Sequence, residues 1–467
     1  MDFSRLSFWL ALLAAMPVLL LLNTLLRQRP ETRLTVHKLF ILALSLLLLG
    51  MVSWQTLLIF TAVMSVAYVA CRWGVRLSLT GRRVLLGALV PLLLAPLAYY
   101  KYGYFIGVTI LHGPWDTLKD LVIPVGISFY TFQIIGFCID TLLRGLPVPP
   151  ALDYMNFCAF FPQIVAGPIE RRGDLLPQLQ QLDLRPRAEH LDAGLRYVVL
   201  GLFFKLVLAD NLAAAWVPQY HGGSALHLWL NTLIFTFRIY FDFAGYALSA
   251  YGIARCMGIT LQMNFWSPYT ATDMGDLWRR WNATLMRWFR DYVYFPLGGS
   301  RTRLWALNMM LVFLVSGVWH GAGWNYILWG AYLGAIIVLC RSFRLLGGKL
   351  PAWLGWGLTF GGMVVSFLIF TDTDMALFGQ HLRLLATPSA YGLHAFGQEL
   401  VAMKTEGTMA APFLAASAAV IALELLSLRR REHPYELFLG NAACGIMVFL
   451  MVLLVPAATS SFIYFAF

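Results

Sequence analysis

Long, nearly unbroken runs of apolar residues alternate along this chain with short clusters of arginine and lysine. The runs lack the two-residue alternation of barrel strands, and a spanning helix needs roughly 20 apolar residues, so the pattern predicts crossing helices. Residues 6–26 are the first run. No small-residue cleavage site follows it, so it reads as a retained span. Basic clusters mark cytoplasmic loops in membrane proteins. Arg27, Arg29, Arg33 and Lys38 form one cluster, and Arg72, Arg76, Arg82 and Arg83 the next. An even number of crossings then lies between them, and Leu39 to Cys71 reads as two short helices broken near Trp54. Later, Arg279, Arg280, Arg287, Arg290, Arg301 and Arg303 precede an apolar hairpin whose turn falls near Gly321–Asn325, and Arg341, Arg344 and Lys349 follow it. Residues 351–371 then cross outward. The stretch 372–408 carries Asp372, Asp374, Glu399 and Glu406 against Arg383 and Lys404, as an external loop would. Residues 409–428 return to Arg429–Arg431, and 438–456 leave again.

The expected fold is therefore all-α: a polytopic transmembrane protein of about 11–12 helices, some short or re-entrant. It divides into N-terminal helices over 1–118, a core over 119–345 and C-terminal helices over 346–467. No internal repeat is visible, which argues against a transporter built from duplicated halves.

Composition strengthens this picture. Only 12% of the residues are charged, about half the share of a soluble domain. The net charge of +11 suggests nucleic acid until its distribution is considered; the cations sit between apolar runs, so no nucleic-acid partner is indicated. Six cysteines are scattered, mostly inside apolar runs, with no CxxC spacing, so neither a disulfide framework nor a zinc site is expected.

Three polar features interrupt the apolar background. His320 lies near the turn of the hairpin, flanked by Gly317, Gly321 and Gly323, which let another helix or a substrate approach closely. An ionisable group at membrane depth is costly and by default functional. Desolvation favours neutral imidazole, which suits a general base acting on a hydroxyl. The plain alternative is a histidine bonded to a neighbouring helix. The other eight histidines fall near polar or loop-like sequence, without HxxxH or HExxH spacing, so no metal site is expected. The segment from Asp273 to Tyr292 is second. Trp278, Trp281, Leu285, Trp288 and Tyr292 recur at helical spacing, with Arg280, Thr284, Arg287 and Asp291 on another face. This reads as an interfacial helix anchored by tryptophan and arginine, except that Asn282 sits beside the aromatic face, where an anchor needs no amide. The third feature is the stripe Arg238, Asp242, Gly245 and Ser249, in which Arg238 and Asp242 are spaced to pair. Prolines and glycines around Ser128, Tyr130 and Gln133, and again over 161–170, break helices and nominate pocket walls or simple kinks. No phosphate loop, nucleophile elbow or dinucleotide fingerprint is present.

The segments PVGISFYTFQ (124–133), FFPQIVAGPIERR (160–172), RIYFDFAGYA (238–247), DLWRRWN (276–282), FRDYVYFPLGGSR (289–301) and SGVWHGAGWNYILWG (316–330) together resemble the membrane-bound O-acyltransferase superfamily. The resemblance is greatest to its bacterial branch of alginate O-acetyltransferases and teichoic-acid D-alanyltransferases. It implies a ring of helices around a central funnel, with His320 at the family's histidine position and Asn282 at its second position. Alginate-type members carry histidine there, so this chain departs from them. A two-histidine mechanism is closed to it, and Asn282 is expected to bond an acyl carbonyl or to orient the acceptor.

The expected chemistry is attack of a hydroxyl, deprotonated by His320, directly on a thioester donor such as acetyl-CoA, with no bound cofactor. No serine or cysteine nucleophile is paired with a base. Arg279, Arg280, Arg287 and Arg290 suit donor phosphates, the plain alternative being positive-inside anchoring alone, and Trp281, Asp291, Trp319, Asn325, Tyr130 and Gln133 complete the candidate donor and substrate set. Expected surroundings are a bacterial inner membrane, its lipid, and a periplasmic partner of the SGNH-hydrolase type or an exopolysaccharide secretion complex. Two other readings remain: a transporter or flippase of a lipid-linked glycan with His320 as proton relay, and a non-catalytic scaffold of an exopolysaccharide complex.

Overall fold

A computed structural model describes residues 3–402, 404–456 and 460–463. The chain is all-α, with no strand among the described residues. The helices run, in order, α1 (Leu6–Leu25), α2 (Pro30–Val52), α3 (Trp54–Gly74), α4 (Leu79–Leu97), α5 (Ile127–Leu142), α6 (Ala151–Ala159), α7 (Arg172–Gln180), α8 (Ala188–Leu202), α9 (Asp210–Ala215), α10 (Ala225–Cys256), α11 (Met274–Arg280), α12 (Ala283–Phe289), α13 (Trp305–His320), α14 (Trp324–Leu345), α15 (Ala352–Thr371), α16 (Met375–Leu385), α17 (Leu393–Ala402), α18 (Lys404–Arg431) and α19 (Asn441–Leu454). Among the described residues, eight helical stretches are long and apolar enough to cross a membrane, and α5, α13 and α19 are shorter apolar helices. The protein is a multi-pass membrane protein.

Three sequence expectations change. The break near Trp54 is real and falls at Ser53, whose hydroxyl accepts from the Thr56 amide. The helices on either side are full-length, however, because they run on into the basic clusters, back to Pro30 past Lys38 and Arg33 and forward to Gly74 past Arg72. The stretch 372–408 is not a bare loop. It holds α16 and α17, begun by the Asp374 carboxylate accepting from the Ala376 amide. The side chains of Lys404 and Glu406 lie outside the described residues. The Asp273–Tyr292 segment is not one helix but two, α11 and α12, parted at Trp281 and Asn282.

The chain forms two compact units. The first comprises residues 1–198 and 247–263. In it α3 packs against α2, α4 and α5. Gly126 begins α5 at φ +77°, and a Cβ there would stand 2.7 Å from the Ile164 carbonyl. The break at 124–126 thus packs on residues 164–165 of the break at 161–168, while Gly167 is needed by its own turn, where a Cβ would meet Gln163.

The second unit comprises residues 199–246 and 264–467. In it α13 and α14 pack as a hairpin. Gly317 lies against the Tyr326 carbonyl, and Gly330 against the Phe313 carbonyl. The small residues flanking His320 therefore admit the partner helix of their own hairpin. Gly245 of α10 likewise lies on residues 201–205, where a Cβ would stand 2.7 Å from the Gly201 carbonyl. The polar stripe of α10 is packed there rather than open to a cavity.

Candidate active site

His320 is the last residue of α13, and the chain extends at Gly321 before Trp324 starts α14. Its imidazole is 5% exposed. Three rings meet it edge to face: Trp319 and Trp329, each with centroids 4.8 Å away, and Phe370 at 5.8 Å. Phe370 closes α15, and its carbonyl accepts from Asn325 Nδ2 at 2.8 Å. Asn325 thereby pins the start of α14 to the end of α15 and holds Phe370 against the imidazole. These rings bury the imidazole and hold its plane.

Asn282 occupies the break between α11 and α12 at φ +42°, ψ +51°. Asparagine is among the few residues that enter this left-handed region at low cost. Two backbone bonds hold the break open. The Trp266 amide donates to the Arg280 carbonyl at 2.9 Å, and the Ala283 amide to the Asn264 carbonyl at 2.8 Å. The Asn282 amide is 2% exposed, and neither its Oδ1 nor its Nδ2 has a hydrogen-bond partner. Burying an unpaired amide costs about 1–3 kcal/mol, so this position is kept for something other than stability.

Aromatic contacts connect the break to the histidine. Trp278 of α11 meets Trp329 at 6.0 Å. Trp281 meets Phe367 at 5.9 Å, and Phe367 meets Phe370 at 6.2 Å. Trp281 also packs on Phe265 and Tyr269. Both tryptophans of the RRW segment are therefore core residues rather than interfacial anchors.

A cleft of about 400 Å³ opens beside this core, lined by Arg279, Arg287 and Arg290 together with Trp278, Met286 and Phe313. Its walls combine cations with apolar side chains. Arg279 is largely exposed and bonds Asp276 at 3.2 Å. Asp291 is paired with Arg290 at 2.8 Å. Arg280 does not line the cleft. It bonds Asp276 at 2.7 Å and the Thr270 hydroxyl at 3.1 Å, bracing α11 against the preceding turn.

Tyr130, Gln133 and the α10 stripe complete the sequence candidates. Tyr130 and Gln133 belong to the first unit, where Tyr130 packs edge-on to Phe60 and Gln133 donates to the Phe157 carbonyl at 3.0 Å, tying α5 to α6. The expected Arg238–Asp242 pair gives way to another. Asp242 pairs with Lys205 at 2.7 Å, Lys205 also holds Asp210 at 2.8 Å, and Arg238 lies over the Trp216 ring. Spacing along one helix could not reveal Lys205, which comes from a different segment.

Sequence reasoning also missed buried groups. Glu424, fully buried on α18, bonds the hydroxyls of Tyr240 at 2.6 Å and Ser267 at 2.7 Å. His227 and His381, read as loop-like, are buried and paired with Glu399 and Asp372, each at 2.7 Å. Asn264 is 1% exposed, and nothing in its spacing marks it.

The sequence pattern described as MBOAT, membrane-bound O-acyltransferase family, matches residues 146–346. The chain is 34% identical over 321 residues to "Peptidoglycan O-acetyltransferase" of Helicobacter pylori, covering 60% of each protein. It is 33% identical to "Probable alginate O-acetylase AlgI" of Pseudomonas aeruginosa, covering 65% of this chain and 60% of that one. It is 31% identical to "Teichoic acid D-alanyltransferase" of Bacillus subtilis, covering 58% of this chain and 71% of that one. The chain thus spans 60% of the length of the first two of these relatives.

Proposed function

We propose, from the premise that this chain belongs to the membrane-bound O-acyltransferase family, that it moves an acetyl or other short acyl group from a thioester donor to a hydroxyl. The observation that carries this reading is the caged imidazole of His320, joined by aromatic contacts to a break that exposes no solvent yet keeps the Asn282 amide unpartnered.

The donor is a cytoplasmic thioester, acetyl-CoA in the simplest case. Its phosphates lie on Arg279, Arg287 and Arg290, and its acyl arm follows the apolar wall past Trp278. His320 accepts the proton of the acceptor hydroxyl. The oxygen attacks the thioester carbon, and Asn282 bonds the carbonyl oxygen as it gains charge. Collapse breaks the C–S bond, and the thiolate leaves with the proton returned by His320. No acyl-enzyme forms.

The relatives' names mention alginate, peptidoglycan and teichoic acid. By likeness to them, the acceptor here is a hydroxyl of an exported polysaccharide or of a periplasmic relay protein of the SGNH type. A bacterial inner membrane is the setting that goes with such a partner.

Proteoliposomes supplied with radiolabelled acetyl-CoA and a panel of alginate, cellulose and peptidoglycan fragments test the reading. Label appearing in ester linkage on one acceptor, and only with protein present, supports it. Label that remains in acetyl-CoA throughout, with or without membrane-extracted partners, sinks it.

A further inference from the structure

Asn264 shares the backbone bracket that holds Asn282. Its carbonyl accepts from the Ala283 amide at 2.8 Å, directly beside Asn282. Its side chain is 1% exposed and half satisfied: Oδ1 accepts from the Thr284 hydroxyl, while Nδ2 has no hydrogen-bond partner. Two neighbouring asparagines thus keep amide donors buried without acceptors. A single orphaned amide is a local cost; two on segments bonded to each other describe a place where an acceptor atom is missing.

We infer that Asn264 Nδ2 is a second hydrogen-bond donor to the oxygen of the acyl carbonyl, with Thr284 as the positioning residue that turns it. This rests on the acyl-transfer reading above. As the acceptor oxygen bonds the carbonyl carbon, the C=O π pair moves onto oxygen, and the hydroxyl proton passes to His320. The Asn264 and Asn282 N–H groups stabilise that oxyanion. The pair then returns, the C–S bond breaks, and the thiolate recovers the proton. The net exchange is thioester and alcohol for ester and thiol, with no oxidant or reductant. Donors aimed at a developing oxyanion are worth on the order of 10²–10³ in kcat each. Thr284 acts only through Asn264. Its hydroxyl engages the oxygen end of the amide and leaves the nitrogen end available.

The test uses two inert donor analogues: the amide of acetyl-CoA, in which nitrogen replaces the thioester sulfur, and ethyl-CoA, a thioether with no carbonyl. Both are titrated onto the full-length protein in nanodiscs. The wild type is expected to prefer the amide by roughly tenfold. Asn264→Leu, which keeps volume, loses the preference, raises KM for acetyl-CoA by no more than that roughly tenfold and lowers kcat about 100-fold. Thr284→Val lowers kcat about tenfold and Thr284→Ser restores it, which keeps the proposal testable should Asn264→Leu not fold. Full preference and full kcat in Asn264→Leu, or an unaffected Thr284→Val, overturns the inference and leaves the acyl-transfer reading standing. A wild type that binds neither analogue overturns both.

Discussion

The rings of His320 and Trp329 meet edge to face at 77°, their centroids 4.8 Å apart. Trp329 is fully buried and also touches Trp278 and Phe370. It thus connects the histidine cage to Trp278 of the cleft wall. Trp329→Ala should cost about 3–5 kcal/mol of stability. Trp329→Phe keeps an aromatic filler but loosens the imidazole, so kcat should fall roughly 10–100-fold with little change in KM. Steady-state kinetics beside thermal unfolding separates the two effects; a Phe variant with wild-type kcat removes Trp329 from the account.

The hairpin itself makes a second prediction. A Cβ on Gly330 meets the Phe313 carbonyl and lies 3.2 Å from Leu314 Cα. Both neighbours are backbone and cannot yield without moving a helix. Gly330→Ala should therefore separate α13 from α14 at a cost of about 1–3 kcal/mol, read as a lowered melting temperature in detergent. An unchanged melting temperature contradicts the close crossing.

Lys205 sits 2.8 Å from Asp210 and 2.7 Å from Asp242, with both carboxylates buried. Ser460 caps the cluster through bonds to Lys205 and Asp210. Lys205→Met strands two buried carboxylates and should cost about 3–5 kcal/mol. Chemical unfolding of the variant checks it, and a loss below about 1 kcal/mol would place the cluster in water.

A pH effect is expected at α16. His381 Nδ1 bonds the Asp372 carboxylate and Nε2 the Tyr220 carbonyl, each at 2.7 Å. Both partners accept, so both ring nitrogens must donate. Burial, the largest influence, pulls the His381 pKa down, but the Asp372 hydrogen bond, the Tyr220 bond and the Asp372 charge together carry it above its usual 6.5. A raised folded pKa gives stability that is fully present below 6.5 and lost as pH rises through the folded value. Glu399, facing the same turn through Tyr220 and His227, is opposed first by burial, yet its hydrogen bonds hold it below its usual 4.5. Its contribution is present above 4.5 and lost only as pH falls through the lowered value, so it does not change across the alkaline window. Melting temperature should thus fall by about 2–4 °C above pH 6.5, and Asp372→Asn should flatten the profile. An equal slope in that variant would assign the effect elsewhere.

Much of the fold was legible in the sequence because membrane helices need only long apolar runs, and charge clusters punctuate them. The hairpin turn beside His320, the span of α15 and the break at Ser53 all follow from that. What escaped was set by pairing between distant segments. Asp242 finds Lys205 rather than Arg238 because the cation comes from another segment, a pairing that single-helix spacing cannot express. The break at Asn282 was hidden because Trp278, Trp281 and Trp288 keep helical spacing across it; only the backbone bonds to 264–266 reveal the bend. His227 and His381 looked loop-like because their carboxylate partners lie at least nine residues away in sequence.

The central claim is that His320 removes the proton from the acceptor hydroxyl. The direct measurement is single-turnover transfer from labelled acetyl-CoA by wild type, His320→Ala and His320→Gln, each shown to bind the donor and to unfold as the wild type does. The account predicts that both variants bind normally and lose transfer by at least about 10³-fold. Transfer within tenfold of wild type in either variant would contradict it.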